Sequence, residues 1–150
     1  MENNFDLTVR EEANVDGENM IVDLTTRQMQ YCSMTANTDE EKAKLFNATN
    51  NTAHRLADSI NMTINAKDVF VEVVNCTNQE TGEVTKCPRI VLIDDKNEGY
   101  QCVSIGIFSA LKKLFAVYGE PSNWTNPIPL EVKQITKGER KMLTLNVKIK

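Results

Sequence analysis

Val69-Phe-Val-Glu-Val-Val-Asn-Cys76 and Lys86-Cys-Pro-Arg-Ile-Val-Leu-Ile93, separated by Glu80-Thr-Gly-Glu83, decide the fold class of this sequence. Both runs are rich in β-branched residues and a polar, glycine-containing turn lies between them, which is the pattern of a hairpin. Centring the turn between Thr81 and Gly82 pairs Val71 with Leu92 and Val73 with Ile90 on one face. On the other face it pairs Phe70 with Ile93, Val74 with Arg89 and Cys76 with Cys87. The first face is aliphatic and suits a core. The second mixes Phe70, Glu72 and Arg89 with aliphatic residues and reads as partly exposed. Pro88 has no amide donor and fits an edge or a strand end.

Downstream, Asp94-Asp-Lys-Asn-Glu-Gly99 is a polar turn leading into a third strand, Tyr100 to Ser104. Ile107, Phe108, Leu111, Leu114, Phe115 and Tyr118 then recur at helical spacing, with Lys112 and Lys113 on the outer side. Gly119 is placed to end that helix and Pro121 to stop it. A last hairpin runs from Pro127 to Thr136 and from Lys141 to Ile149 around Gly138-Glu139. Its apolar positions align as Ile128–Ile149, Leu130–Val147, Val132–Leu145 and Gln134–Leu143. From residue 69 the order is three strands, one helix, two strands. The expected fold is therefore α+β and mainly β, an OB-fold-like five-stranded barrel with a helix between strands 3 and 4.

Upstream, Gln28 to Ala36 reads as a strand with Met29, Tyr31 and Cys32 available for packing. Thr38-Asp-Glu-Glu41 is a capping box. It opens a helix whose inner face would carry Leu45, Leu56 and Ile60. The Asn-rich stretch Asn47 to Thr52 is a candidate break before Ala53-His-Arg-Leu-Ala resumes helical spacing. This strand and helix are an N-terminal addition to the barrel. Residues 1–27 form an acidic arm in which only Phe5, Leu7 and Val9 alternate like a short strand. The expected organisation is one domain over residues 1–150, with the arm at 1–27 and the OB-like body at 28–150.

The bulk numbers agree with that reading. The 150 residues are 41% hydrophobic and 25% charged, ordinary values for a globular domain large enough to bury a core. No stretch reaches the roughly 18 apolar residues of a membrane span. Met1 to Asp6 lacks the basic and apolar regions of a secretory signal, so a cytoplasmic location is expected and no membrane partner. The five Asn-x-Thr triplets beginning at Asn47, Asn50, Asn61, Asn75 and Asn123 are then composition rather than glycan sites. The net charge of -4 is unevenly spread. Residues 1–85 hold 6 Lys/Arg against 15 Asp/Glu, and residues 86–150 hold 11 against 6. A basic second half points to an anionic partner, and the arm is of the sign that could lie over a cationic groove in its absence.

Catalytic patterns are missing. His54 is the single histidine, and no nucleophile elbow or phosphate-binding glycine loop occurs. Asp94-Asp95 lies in a tight turn, where aspartate serves as a turn-former. Cys32, Cys76, Cys87 and Cys102 contain no Cys-x-x-Cys knuckle, so they are expected as thiols with no metal. No enzyme activity, cofactor or small-molecule substrate is expected.

Binding of a single nucleic-acid strand needs cations along the backbone path and flat groups on which bases pack. The candidates are Phe70, Arg89 and Tyr100 on the mixed sheet face, Trp124 in the loop Ser122 to Asn126, and Lys137, Arg140 and Lys141 at the last hairpin tip. In an OB-fold the second and third strands and the loops joining strands 1–2 and 4–5 make the binding face. Phe70 as core, Trp124 as a barrel cap and the basic tip as a solubilising turn are the competing readings of these residues.

Several whole segments resemble single-stranded-DNA-binding proteins of small tailed bacteriophages. They are Lys44-Leu-Phe-Asn-Ala-Thr49, Arg55-Leu-Ala-Asp58, Asp68-Val-Phe-Val-Glu-Val-Val74, Glu80-Thr-Gly82, Pro88-Arg-Ile-Val-Leu-Ile-Asp-Asp95, Tyr100-Gln-Cys-Val-Ser104, Ala110-Leu-Lys-Lys-Leu-Phe115, Tyr118-Gly-Glu-Pro121 and Val132-Lys-Gln-Ile-Thr-Lys-Gly-Glu-Arg-Lys141. The similarity runs from about residue 36 to the end. It implies a protein of the host cytoplasm that coats displaced strands during phage genome replication, with single-stranded DNA as partner. Self-association into a homo-oligomer stays open. Bacterial proteins of this class carry an acidic C-terminal tail, whereas here the acidic arm is N-terminal and the chain ends Lys148-Ile-Lys150. The alternative is a phage-type protein–protein interaction module, structural or inhibitory, which the overall negative charge favours.

Overall fold

The computed structural model of the chain describes residues 30–50 and 52–149. The expected acidic arm and the first residues of the expected N-terminal strand lie outside the described residues.

Among the described residues seven strands form one sheet. They are β1 (Gln30–Cys32), β2 (His54–Arg55), β3 (Thr63–Thr77), β4 (Val84–Asp94), β5 (Gly99–Val103), β6 (Ile128–Lys137) and β7 (Arg140–Val147). Among the described residues two α-helices accompany them, α1 (Asp39–Asn50) and α2 (Ile105–Tyr118). The sheet order is β2-β5-β4-β3-β6-β7, with β1 pairing to β3 off that path. Fifteen-residue β3 is the spine. It pairs with β4 from Ala66 to Thr77, with β6 from Thr63 to Ala66, and with β1 from Phe70 to Glu72. The irregular register between Ala66 and Asp68 falls where its partner changes from β6 to β1. The result is a mainly-β, curled half-barrel, compatible with an OB-like fold.

Alternation along β3 and β4 divides the apolar residues between two cores. Val69, Val71, Ile90 and Leu92 face inward with Leu130 and Val132, and α2 closes that core with Ile107, Leu111, Leu114 and Phe115. Phe70, Val91 and Ile93 face the other way and are covered by Ala48 and Leu45 of α1. A hydrophobic run without strict alternation is thus explained by burial on both faces.

The capping box forms as expected. The Glu41 amide donates to the Thr38 hydroxyl at 3.1 Å and the Thr38 amide to the Glu41 carboxylate at 3.2 Å. Hydrogen bonds from the Asn37 amide and the Thr35 hydroxyl further hold Glu41 below the usual carboxylate range. Ser104 ends the third strand by capping α2, its hydroxyl accepting from the Ile107 amide, and Gly119 ends α2 at φ 82°. In the last hairpin, Leu130–Val147, Val132–Leu145 and Gln134–Leu143 pair as the sequence predicts.

Four expectations need correction. The β3–β4 pairing is displaced by two residues, placing Val71 opposite Ile90, Val74 opposite Cys87 and Cys76 opposite Thr85. The turn is set by Asn78, whose side chain accepts from the amides of Glu80 and Thr81, while Gly82 closes the loop at φ 75°. A displacement of two preserves the faces, so the core assignment survives. Second, Ala53 to Arg55 is not helical, and Leu56–Asp58 makes only a single 3-10 turn. The Thr49 and Thr52 hydroxyls donate to the carbonyls of Leu45 and Ala48 as α1 ends, and His54–Arg55 then pairs parallel with β5. Third, Ile128 pairs with Ala66 rather than Ile149, which stands in solvent. Fourth, Lys112 is half-buried, its ammonium 5.7 Å over the Phe108 ring.

Candidate nucleic-acid interface

The half-barrel leaves a seam between β5 and β7. Arg89 pairs with Val103, the last residue of β5, so Val84 to Pro88 extend past that strand. The β6–β7 hairpin likewise runs beyond the start of β3, because Thr63 pairs with Glu131 and β6 continues to Lys137. Its two-residue turn places Gly138 at φ 62° with open space where a Cβ would be. Two hairpins therefore project on either side of Val103.

One cleft of the seam lies between Val103 to Gly106 and Arg140 to Leu143. A second shares Val103, Ser104 and Leu143 with it and continues to Arg55 and Gln101. Gly106 marks the narrowest point, since a Cβ there would collide with the Leu143 carbonyl oxygen. The floor is aliphatic, with Val103 50% and Ile105 63% exposed. Arg55, Arg140 and Lys141 stand exposed at its margins and Lys137 at the adjoining tip. Among the described residues none of these four cations is in an ion pair. A hydrocarbon floor between cations can hold bases and phosphates without reading base edges.

The sequence-predicted residues separate into two groups. Lys137, Arg140 and Lys141 are together at the tip and open to solvent. Phe70 is only 7% exposed, packed beneath α1, so its ring offers no open face. Arg89 is committed elsewhere. Its guanidinium donates to Glu72 Oε2 at 2.9 Å, the Thr49 carbonyl at 2.7 Å, Thr52 Oγ1 at 3.0 Å and Gln101 Oε1 at 3.2 Å. Tyr100 stacks on His54, centroids 4.4 Å apart, and its hydroxyl donates to Asp94 at 3.4 Å. Burial, then the Asp94 and Glu98 carboxylates, raise its pKa. Trp124 caps the core. Its Nε1 donates to the Gly119 carbonyl at 2.9 Å and its ring meets Phe115 edge-on at 6.2 Å. α1 thus covers the sheet face that carries Phe70, Val91 and Ile93.

Arg55, Val103 and Ile105 escaped the sequence reading. Arg55 sits in a segment whose spacing imitates a helix, and nothing local signals its parallel pairing with β5, nearly fifty residues later. Tyr118, expected with the apolar face of its helix, is instead 47% exposed, and Phe46 is 62% exposed.

The cysteines bear on the hairpins. All four carry free thiols. Cys76 and Cys87 are diagonal neighbours on β3 and β4, and a hydrogen bond with Cys87 raises the Cys76 pKa. Burial pushes Cys102 up to about 12.

Among the described residues no helix is long and apolar enough to cross a membrane. No curated protein and no solved structure was found to match the chain. A family model does match, that of the phage single-stranded DNA-binding protein of the phi29 type, over residues 24–148. With both hairpins, both helices and the seam between them inside the matched region, the chain belongs to the phi29-type phage single-stranded DNA-binding protein family.

Proposed function

We propose that the protein binds single-stranded DNA without strong sequence preference and coats displaced strands during phage DNA replication, using the seam between β5 and β7. Under this reading β3, β4, β5, α2, β6 and β7 are the strands and helix of an OB-fold, with β1, α1 and β2 added, and residues 1–150 act as one domain. The seam itself carries the proposal: Arg55 on one side, Arg140 and Lys141 on the other, Val103 and Ile105 as the floor. Lys137 extends the cationic path along the hairpin tip. The phosphates lie along these cations and unpaired bases pack on the aliphatic floor. Duplex bases are stacked and cannot reach it. The overall negative charge does not oppose this, because 11 of the 17 basic residues lie in residues 86–150.

The test is a titration of labelled oligo-dT, followed by anisotropy at several salt concentrations. Affinity should fall with salt as condensed counterions are released, and duplex of equal length should bind much more weakly. Each of Arg55→Ala, Arg140→Ala and Lys141→Ala should lower the slope of log K against log salt by about 0.7. Wild-type binding with unaltered slopes in all three variants would remove the seam from the reading, and absence of wild-type binding would remove the reading itself. Trp124 is packed on Phe115, so intrinsic tryptophan emission should change little on binding.

A further inference from the structure

We propose that the outer edge of β7 and the groove between it and α2 form a docking site for an extended acidic peptide segment of a partner protein, added to the sheet as one more strand. β7 ends the sheet order. The Lys148 amide donates to the Pro129 carbonyl at 2.8 Å, which fixes the alternation of hydrogen bonds across the β6–β7 ladder. Thr144, Asn146 and Lys148 bond inward to β6. Leu143, Leu145 and Val147 therefore turn their amides and carbonyls outward. Leu143 meets the backbone of Gly106 at the seam. Among the described residues, Leu145 and Val147 have no backbone partner on that side.

Beside those two residues a groove of about 340 Å³ opens between β7 and α2, lined by Ala110, Leu114, Val117 and Tyr118 of α2. Groove and open edge call for the same occupant. An extended backbone satisfies alternate amides of β7, and every second side chain enters the apolar groove. Unprotected strand edges are ordinarily blunted because they recruit other chains. The charge selects the partner: Lys113 lines the groove, Lys148 follows directly on Val147, and no carboxylate is among the lining residues. The peptide of matching chemistry alternates Asp or Glu with Val, Ile or Phe. The site lies at the far end of β7 from Arg140 and Lys141, so it does not depend on the DNA reading.

The probe is a fluorescein-labelled eight-residue peptide alternating Asp with Val and Phe, titrated into the full-length protein. It should bind at least tenfold more tightly than the same peptide with Lys in place of Asp. N-Methylation of its alternate amides should abolish binding. Val147→Pro removes an outward donor while the inward amides of Asn146 and Lys148 still hold the β6 ladder, and Val117→Asp spoils the groove. Each should weaken the peptide at least tenfold and leave oligo-dT affinity within twofold. Equal binding of the acidic and basic peptides, tolerance of N-methylation, or no binding to the wild-type protein would each overturn the proposal. The N-methylated peptide decides the matter even where a variant fails to fold.

Discussion

Arg89 shows how one side chain can trade a ligand for architecture. Its four hydrogen bonds tie the end of α1 to β3, β4 and β5, and its side chain is only 16% exposed. Four of its five N–H donors are engaged, which leaves at most one for a phosphate. Removing it strands the Glu72 carboxylate and the Thr49 carbonyl together. Arg89→Ala should therefore lower unfolding free energy by about 2 kcal/mol, measured by urea denaturation. Oligo-dT affinity of the folded fraction should stay within twofold. Arg89→Lys should recover little, since a single ammonium cannot span four acceptors. A large loss of DNA affinity at unchanged stability would return Arg89 to the interface.

At the scale of elements, legibility followed the range of the interaction. The β6–β7 hairpin was readable from Leu130 to its tip because its turn is two residues long and both strands alternate cleanly there. The capping box at Thr38 and Glu41 was readable because both bonds close within three residues. The β3–β4 hairpin was readable as a hairpin, yet its register was not. The Asn78 side chain opens the turn earlier than its glycine suggests. β2 was invisible: two residues pair in parallel with a strand nearly fifty positions away, and the local spacing Ala53 to Ala57 fits a helix equally well. The candidate site divided in the same way. Exposed cations at a hairpin tip could be read from sequence. The burial of Phe70 could not, because it depends on where α1 lands.

For the whole molecule, the buried acid groups bear on stability in alkali. Cys102 is pushed up to about 12 by burial, from an ordinary 9.0. Tyr31 is raised first by burial and then by Glu120, to which its hydroxyl donates at 3.0 Å, and Tyr100 is raised as well. Below the ordinary thiol value both folded and unfolded chains hold the Cys102 proton, and its contribution is fully present. Above that value unfolding releases a proton that the folded state retains, so stability falls with rising pH until about 12. Urea midpoints should accordingly decline from pH 8.5 to pH 11. Cys102→Ala should decline less steeply over the same range, and parallel curves would show that the thiol is not held protonated by the fold.

The seam also determines how load passes through the protein. Among the described residues, the β6–β7 hairpin is hydrogen-bonded to the rest of the fold only through the stretch from Asn61 to Ala66. No ladder joins β7 to β5. β3 and β4 share a much longer ladder. Under the proposed function, a taut strand gripped by the tip would pull on a short joint, and β6–β7 would be the unit that detaches first. Native-state hydrogen exchange should show the ladder amides of β6 and β7 opening together at a lower free energy than those of β3 and β4. A single common opening energy for all four strands would mean that packing against α2 makes the joint as strong as the spine. With the lower energy, the hairpin works as a release catch, able to let go of a strand while the rest of the sheet stays folded.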